Sequence, residues 1–96
     1  MKKNRVLNIE VDECENFIER ARGLIGRPRL GVGRGMLIPK CNAIHTFFMS
    51  YPIDATFLDR DFKVVKEVKN IRPWRFFVWG GWRAKAVLET ESCLTS

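Results

Sequence analysis

The stretch Ile53-Asp54-Ala55-Thr56-Phe57-Leu58-Asp59-Arg60-Asp61-Phe62-Lys63-Val64-Val65-Lys66-Glu67-Val68-Lys69 decides the fold class. From Ile53 to Asp59 apolar and polar side chains alternate, the period-2 pattern of a half-buried strand. Asp59-Arg60-Asp61 is rich in turn formers. Lys63 to Lys69 then supplies a second strand, with Val64, Lys66 and Val68 facing one way. Two strands joined by so short a turn pair antiparallel and read as part of a meander.

Upstream, Gly35-Met36-Leu37-Ile38 is a short apolar strand that Pro39 interrupts, and Cys41 to Met49 forms another, rich in β-formers. Tyr51-Pro52 makes the turn into Ile53. Residues 5–11 alternate as well, with Leu7, Ile9 and Val11 opposite Asn8 and Glu10. One segment breaks the β pattern. Asp12 stands as a cap with Glu15 three residues on, Phe17, Ala21, Leu24 and Ile25 recur at helical spacing, and Gly26 and Pro28 end the run. A single short helix near residues 13–26 is expected, followed by an exposed loop from Arg27 to Arg34. Downstream, Arg72-Pro73 breaks the meander. Residues 74–89 are expected to form a hairpin around Gly80-Gly81, which pairs Trp79 with Trp82 and Phe76 with Lys85. Phe77, Trp79, Trp82, Ala84, Ala86 and Leu88 then face the core, and Trp74, Phe76, Val78, Arg83 and Lys85 face outward.

A chain of 96 residues is short of an average domain, so residues 1–96 are read as a single domain. At this size only roughly 60–65% of the unfolded surface is buried, which favours a shallow site over a large internal cavity. Hydrophobic residues make up 46% and charged residues 29%, as in a globular domain rather than a disordered tail. Lys and Arg outnumber Asp and Glu by 17 to 11, a net charge of +6 that favours anionic partners. That excess is scattered along the chain with no motif that reads DNA or RNA, so nucleic acid is not the expected partner. Cys14, Cys41 and Cys93 are odd in number and widely spaced, which supports neither a disulfide framework nor a metal knuckle. Met1-Lys2-Lys3 leads into no apolar run, and no stretch approaches the roughly 20 apolar residues of a membrane span. A cytoplasmic protein is expected.

Arg20-Ala21-Arg22-Gly23-Leu24-Ile25-Gly26-Arg27, Gly35-Met36-Leu37, Ile44-His45-Thr46-Phe47-Phe48-Met49 and Tyr51 to Asp59 occur in this order, followed by Val64-Val65, Pro73 and Ala86-Val87-Leu88-Glu89. Together they resemble the domain of unknown function 192 family, also catalogued as uncharacterised protein family 0127. The resemblance implies a compact β-sandwich or barrel-like fold with one short helix, and no known activity. Family members tend to continue past the Leu-Glu strand with a glycine-containing tail, whereas Thr90 to Ser96 carries no glycine. The fold class expected is therefore mainly β, α+β by content, a small antiparallel sandwich or barrel.

Four groups of side chains are candidates for function. If residues 49–52 are a hairpin loop, residue 45 pairs with 56, and His45, Phe47, Asp54 and Thr56 share one face. Asp54 then orients the His45 ring, the geometry of a general base and its partner, or the two simply finish a polar sheet edge. A nucleophilic dyad of Cys41 with His45 is excluded on a regular strand, where four residues span roughly 13 Å. One histidine with dispersed cysteines gives no recognisable metal set, and no cofactor is implied. Arg22 and Arg27, near the end of the expected helix, suit an internal carboxylate such as Glu89 or an outside anion. The run from Trp74 to Lys85 joins aromatic rings to cations. Arg22, Arg27, His45, Asp54, Trp74, Phe76, Arg83 and Lys85 are thus the candidate ligand-binding residues, and His45 with Asp54 the candidate catalytic pair. The reading favoured is a non-enzymatic binding or accessory domain for a polar or anionic ligand or a protein partner. A small enzyme using His45 and Asp54, or a structural subunit, are the alternatives.

Overall fold

A computed structural model describes residues 2–14, 34–44, 51–75 and 77–92. Among these residues eight strands run in chain order: β1 (Lys2–Val6), β2 (Ile9–Glu13), β3 (Arg34–Pro39), β4 (Ala43–Ile44), β5 (Ile53–Leu58), β6 (Val64–Ile71), β7 (Val78–Trp79) and β8 (Ala86–Glu91). Six form one sheet in the order β1-β2-β3-β8-β5-β6, and β4 pairs with β7 in a small second sheet. The β-rich class expected from the sequence is what the structure shows, in the form of two open sheets. Each strand pair is antiparallel except β2–β3, which is parallel and makes the larger sheet mixed.

The β5–β6 hairpin forms where its alternation places it. Asp59 Oδ1 accepts the Asp61 and Lys63 amides at 2.8 and 3.0 Å, fixing the turn. These amides, Lys63 first, hold the Asp59 carboxyl below its ordinary range. At the other end of the hairpin, Ile53 is opposite Ile71 and Ala55 opposite Val68, so β6 carries one extra residue there. Asn70 takes the left-handed conformation at φ 52°, and its amide donates to Asp54 Oδ1 at 2.8 Å.

Several expectations are corrected. Residues 5–11 are not one strand, because Leu7 and Asn8, at φ 52° and 63°, form a two-residue primed turn between β1 and β2. Asp12 and Glu13 close β2 rather than open a helix: Asp12 lies opposite Lys3 and Met36 and accepts Lys3 Nζ at 2.7 Å. Residues 15–26 of the expected helix lie outside the described residues. Both edges of β5 are taken, one by β6 and the other by β8, and residues 45–48, expected to pair with 53–56, lie outside the described residues. The hairpin around Gly80-Gly81 does not form either. Trp79 pairs with Ala43, and the chain after the glycines returns to the large sheet as β8.

β8 is central, and its apolar residues are buried on both faces. Ala86 and Leu88 join Val6, Val11, Leu37 and Leu58 on one face. Val87 joins Met36, Ile38, Ile53, Ala55 and Phe57 on the other, where Ile44, Tyr51, Val78 and Ala84 close over them. The edge strands β1 and β6 carry Lys2, Lys3 and Arg5, and Lys66, Glu67 and Lys69, charges that discourage pairing with another chain.

Candidate functional site

Between β7 and β8 the chain lies over the second of these faces with its small residues turned inward. Val78 and Ala84 are buried in the core beneath. Gly80 sits so close to the Phe57 ring that any Cβ there would collide with it. The large rings point the other way: Phe77 is 61% exposed, Trp79 38% and Trp82 81%. This reverses the facing expected for residues 77–79. The β4–β7 pairing, absent from the hairpin reading, turns Val78 rather than Trp79 toward the core.

Backbone hydrogen bonds hold the segment at both ends. The Gly80 amide donates to the Asn42 carbonyl at 2.7 Å, and the Lys85 amide to the Leu58 carbonyl at 2.7 Å. Cys41 donates its amide to the Lys85 carbonyl at 3.1 Å. Between these anchors the Ala84 amide donates to the Gly81 carbonyl, closing a turn whose two central residues are Trp82 and Arg83. Gly81 takes φ 97°, a conformation that side chains rarely adopt. Trp82 stands perpendicular to Trp79, with ring centroids 5.2 Å apart and an interplanar angle of 86°. Lys66 reaches across from β6 and donates its Nζ to the Trp79 carbonyl at 2.9 Å.

Trp82, Arg83 and Lys85 line an open cleft of about 370 Å³ with Asp59, Arg60 and Asp61 from the β5–β6 turn. Lys85 also borders a second cleft, of about 360 Å³, with Lys40, Cys41, Asn42 and Ala84. The two expected site residues Arg83 and Lys85 are thus brought together. Trp74 does not line either cleft. It lies after β6, 59% exposed, with φ 67°, an outlier conformation for a bulky residue. Arg22, Arg27, His45 and Phe76 lie outside the described residues. Asp54 is buried at the β5–β6 bulge, bonded to the Asn70 amide, with Lys69 Nζ at 3.9 Å.

Sequence reasoning missed Asp59, Arg60, Asp61 and the outward facing of Trp82. Val78, Gly80 and Ala84, small residues interleaved with large rings, were the available signal. It also left Glu89 out of the site residues. Glu89 lies in mid-sheet between Met36 of β3 and Ala55 of β5, only 4% exposed, and burial pushes its carboxyl up to about 7. Among the described residues no three of His, Cys, Asp and Glu are placed to hold a metal ion, and no helix is long and apolar enough to cross a membrane.

A UPF0127 protein of Thermococcus sibiricus is 39% identical over 92% of this chain, which spans 58% of that relative's length. A crystal structure of a protein of unknown function from Novosphingobium aromaticivorans superposes with a TM-score of 0.77 at 21% identity, covering 95% of this chain and 71% of that one. A protein conjectured to regulate transcription, from Sinorhizobium meliloti, superposes with a TM-score of 0.80 at 17% identity, covering 94% and 78%. At these identities the two structures share the fold alone. The pattern of the DUF192 family, described as "Uncharacterized ACR", matches residues 1–95, and the chain belongs to that family.

Proposed function

We propose that this chain is a small non-enzymatic binding module, and that the outward face of residues 77–85 with the Asp59–Asp61 turn is its recognition surface for a polar, anionic ligand. The observation that carries this reading is the inversion of the segment: Val78 and Ala84 are buried and Gly80 abuts the core ring of Phe57, while Phe77, Trp79 and Trp82 are exposed. Burying one large apolar side chain is worth roughly 1.5–3 kcal/mol, so a fold that leaves Phe77 and Trp82 largely in water and Trp79 partly so along one short segment forgoes substantial stabilisation. Trp79 and Trp82 are in ring contact, and exposed apolar surface of this kind marks interaction sites. Arg83, Lys85 and Lys66 place positive charge beside the rings and select anions.

The face suits binding rather than bond breaking. Its clefts are open and shallow, and its carboxylate Asp59 is held ionised by backbone amides, so it is a weak proton acceptor at neutral pH. Titration of the isotopically labelled chain with a panel of nucleotides, uronates and polyphosphate, followed by amide NMR, tests the assignment. Shifts confined to residues 40–42, 59–63 and 77–85 are expected. Binding whose shifts centre on other residues, or no shifts with any anion, contradicts it.

A further inference from the structure

The two clefts that share Lys85 hold more than a single site for a small anion. One side of Lys85 offers the open Trp82 ring with Arg83, Arg60, Asp59 and Asp61, and the other offers Lys40 and Asn42. We infer that the ligand of this surface is an acidic oligosaccharide, a chain of sugar rings bearing carboxylates, with one ring stacked on Trp82 and the next units crossing Lys85 toward Lys40. The inference rests on the recognition surface proposed above and names its ligand class.

Three features select this chemistry. The first is the exposed indole on a turn tied down at Gly80 and Lys85, which presents a flat apolar platform at little cost in ordering. One face of a pyranose ring is lined by C–H groups and matches such a platform, while its hydroxyls remain at the rim. The second is the mixture of polar groups at that rim. Arg60, Arg83 and Lys85 outnumber Asp59 and Asp61, so the cleft favours an anion. Yet the two carboxylates would repel the dense charge of a polyphosphate or nucleic-acid backbone, whereas they accept hydrogen bonds from sugar hydroxyls. Arg83 and Lys85 are left to pair with sugar carboxylates, and Arg does so bidentately. The third is ring geometry. Proteins that bind single-stranded nucleic acid stack successive bases on aromatic platforms. Trp79 and Trp82 stand at 86° and leave no parallel slot between them for a base.

The test is tryptophan fluorescence of the full chain titrated with tetragalacturonate, its methyl ester, galacturonate monomer, oligothymidylate and inorganic polyphosphate, repeated on Trp82→Ala and Lys85→Ala. Trp82 is exposed on a turn, so its removal leaves the fold in place. Tetragalacturonate is expected to bind about ten-fold or more tighter than its ester or the monomer, with Trp82→Ala abolishing the response and Lys85→Ala costing about ten-fold on the tetramer. Oligothymidylate or polyphosphate binding as tightly as the sugar, and still lost in Trp82→Ala, overturns the sugar assignment and leaves the surface standing. Sugar binding that survives Trp82→Ala in the amide spectrum overturns the surface itself. Failure of tetragalacturonate to bind at all overturns the inference.

Discussion

Gly80 and Phe57 are packed so tightly that position 80 has no room for a β-carbon, and this contact seats the β7–β8 segment on the large sheet. Phe57 is fully buried, so its ring has no vacant direction in which to move. Gly80→Ala is expected to destabilise by about 1–3 kcal/mol, the range for overpacking a close-packed core. Urea denaturation measures the loss. A variant as stable as the parent would show that the segment does not rest on Phe57.

The inward and outward side chains should differ sharply in their effect on stability. Trp82→Ala removes an exposed ring and is expected to change stability by less than about 0.5 kcal/mol. Val78→Ala removes buried methyl groups and is expected to cost about 1–3 kcal/mol. Thermal unfolding of the two variants checks the contrast, and the reverse order would place Trp82 in the core.

Glu89 gives stability a pH dependence of defined sign. Burial raises its folded-state pKa to about 7 from the ordinary 4.5, so between these values the folded chain binds more protons than the unfolded one. Its contribution to stability is therefore most favourable below pH 4.5, falls as pH rises, and is fully adverse above pH 7, by about 3 kcal/mol. Glu89→Gln is expected to flatten the decline between pH 5 and pH 8. Chemical denaturation at several pH values measures it, and an unchanged slope would mean that another group titrates.

Asp54 is assigned to the β5–β6 bulge, where its carboxylate accepts the Asn70 amide. Asp54→Ala leaves that amide without its partner, at a cost of about 1–3 kcal/mol. Hydrogen exchange should accelerate at Asn70 and its neighbours in β6. Unchanged exchange at Asn70 would contradict the assignment.

The β5–β6 hairpin was legible because its signals are local: alternation on each side and an Asp-rich turn between. The β1–β2 turn was not, because Leu7-Asn8 lacks glycine and the apolar alternation runs on through it. The insertion of β8 between β3 and β5 depends on long-range pairing that no local pattern encodes. For the proposed surface, sequence composition was enough to single out the aromatic and basic run that holds Arg83 and Lys85. Its facing was not legible, because hydrophobic residues occupy both alternate sets and periodicity alone cannot rank them. What decides is the pairing of Trp79 with Ala43 and the collision that would follow from any side chain at Gly80. The Asp59–Asp61 turn joins the cleft only through packing of the two segments, so its residues read from sequence as turn chemistry alone.

The central claim, that tryptophan rings stand in water beside positive charge, is tested without any ligand by collisional quenching. Iodide and caesium ions differ in sign, and cations beside an exposed indole concentrate the anion and exclude the cation at low ionic strength. The account predicts emission near that of indole in water, efficient quenching by iodide, weak quenching by caesium, and a smaller iodide-sensitive component in Trp82→Phe, the remainder coming from the exposed Trp74 and the half-buried Trp79. Blue-shifted emission that neither ion quenches would place the rings in the core and contradict the account.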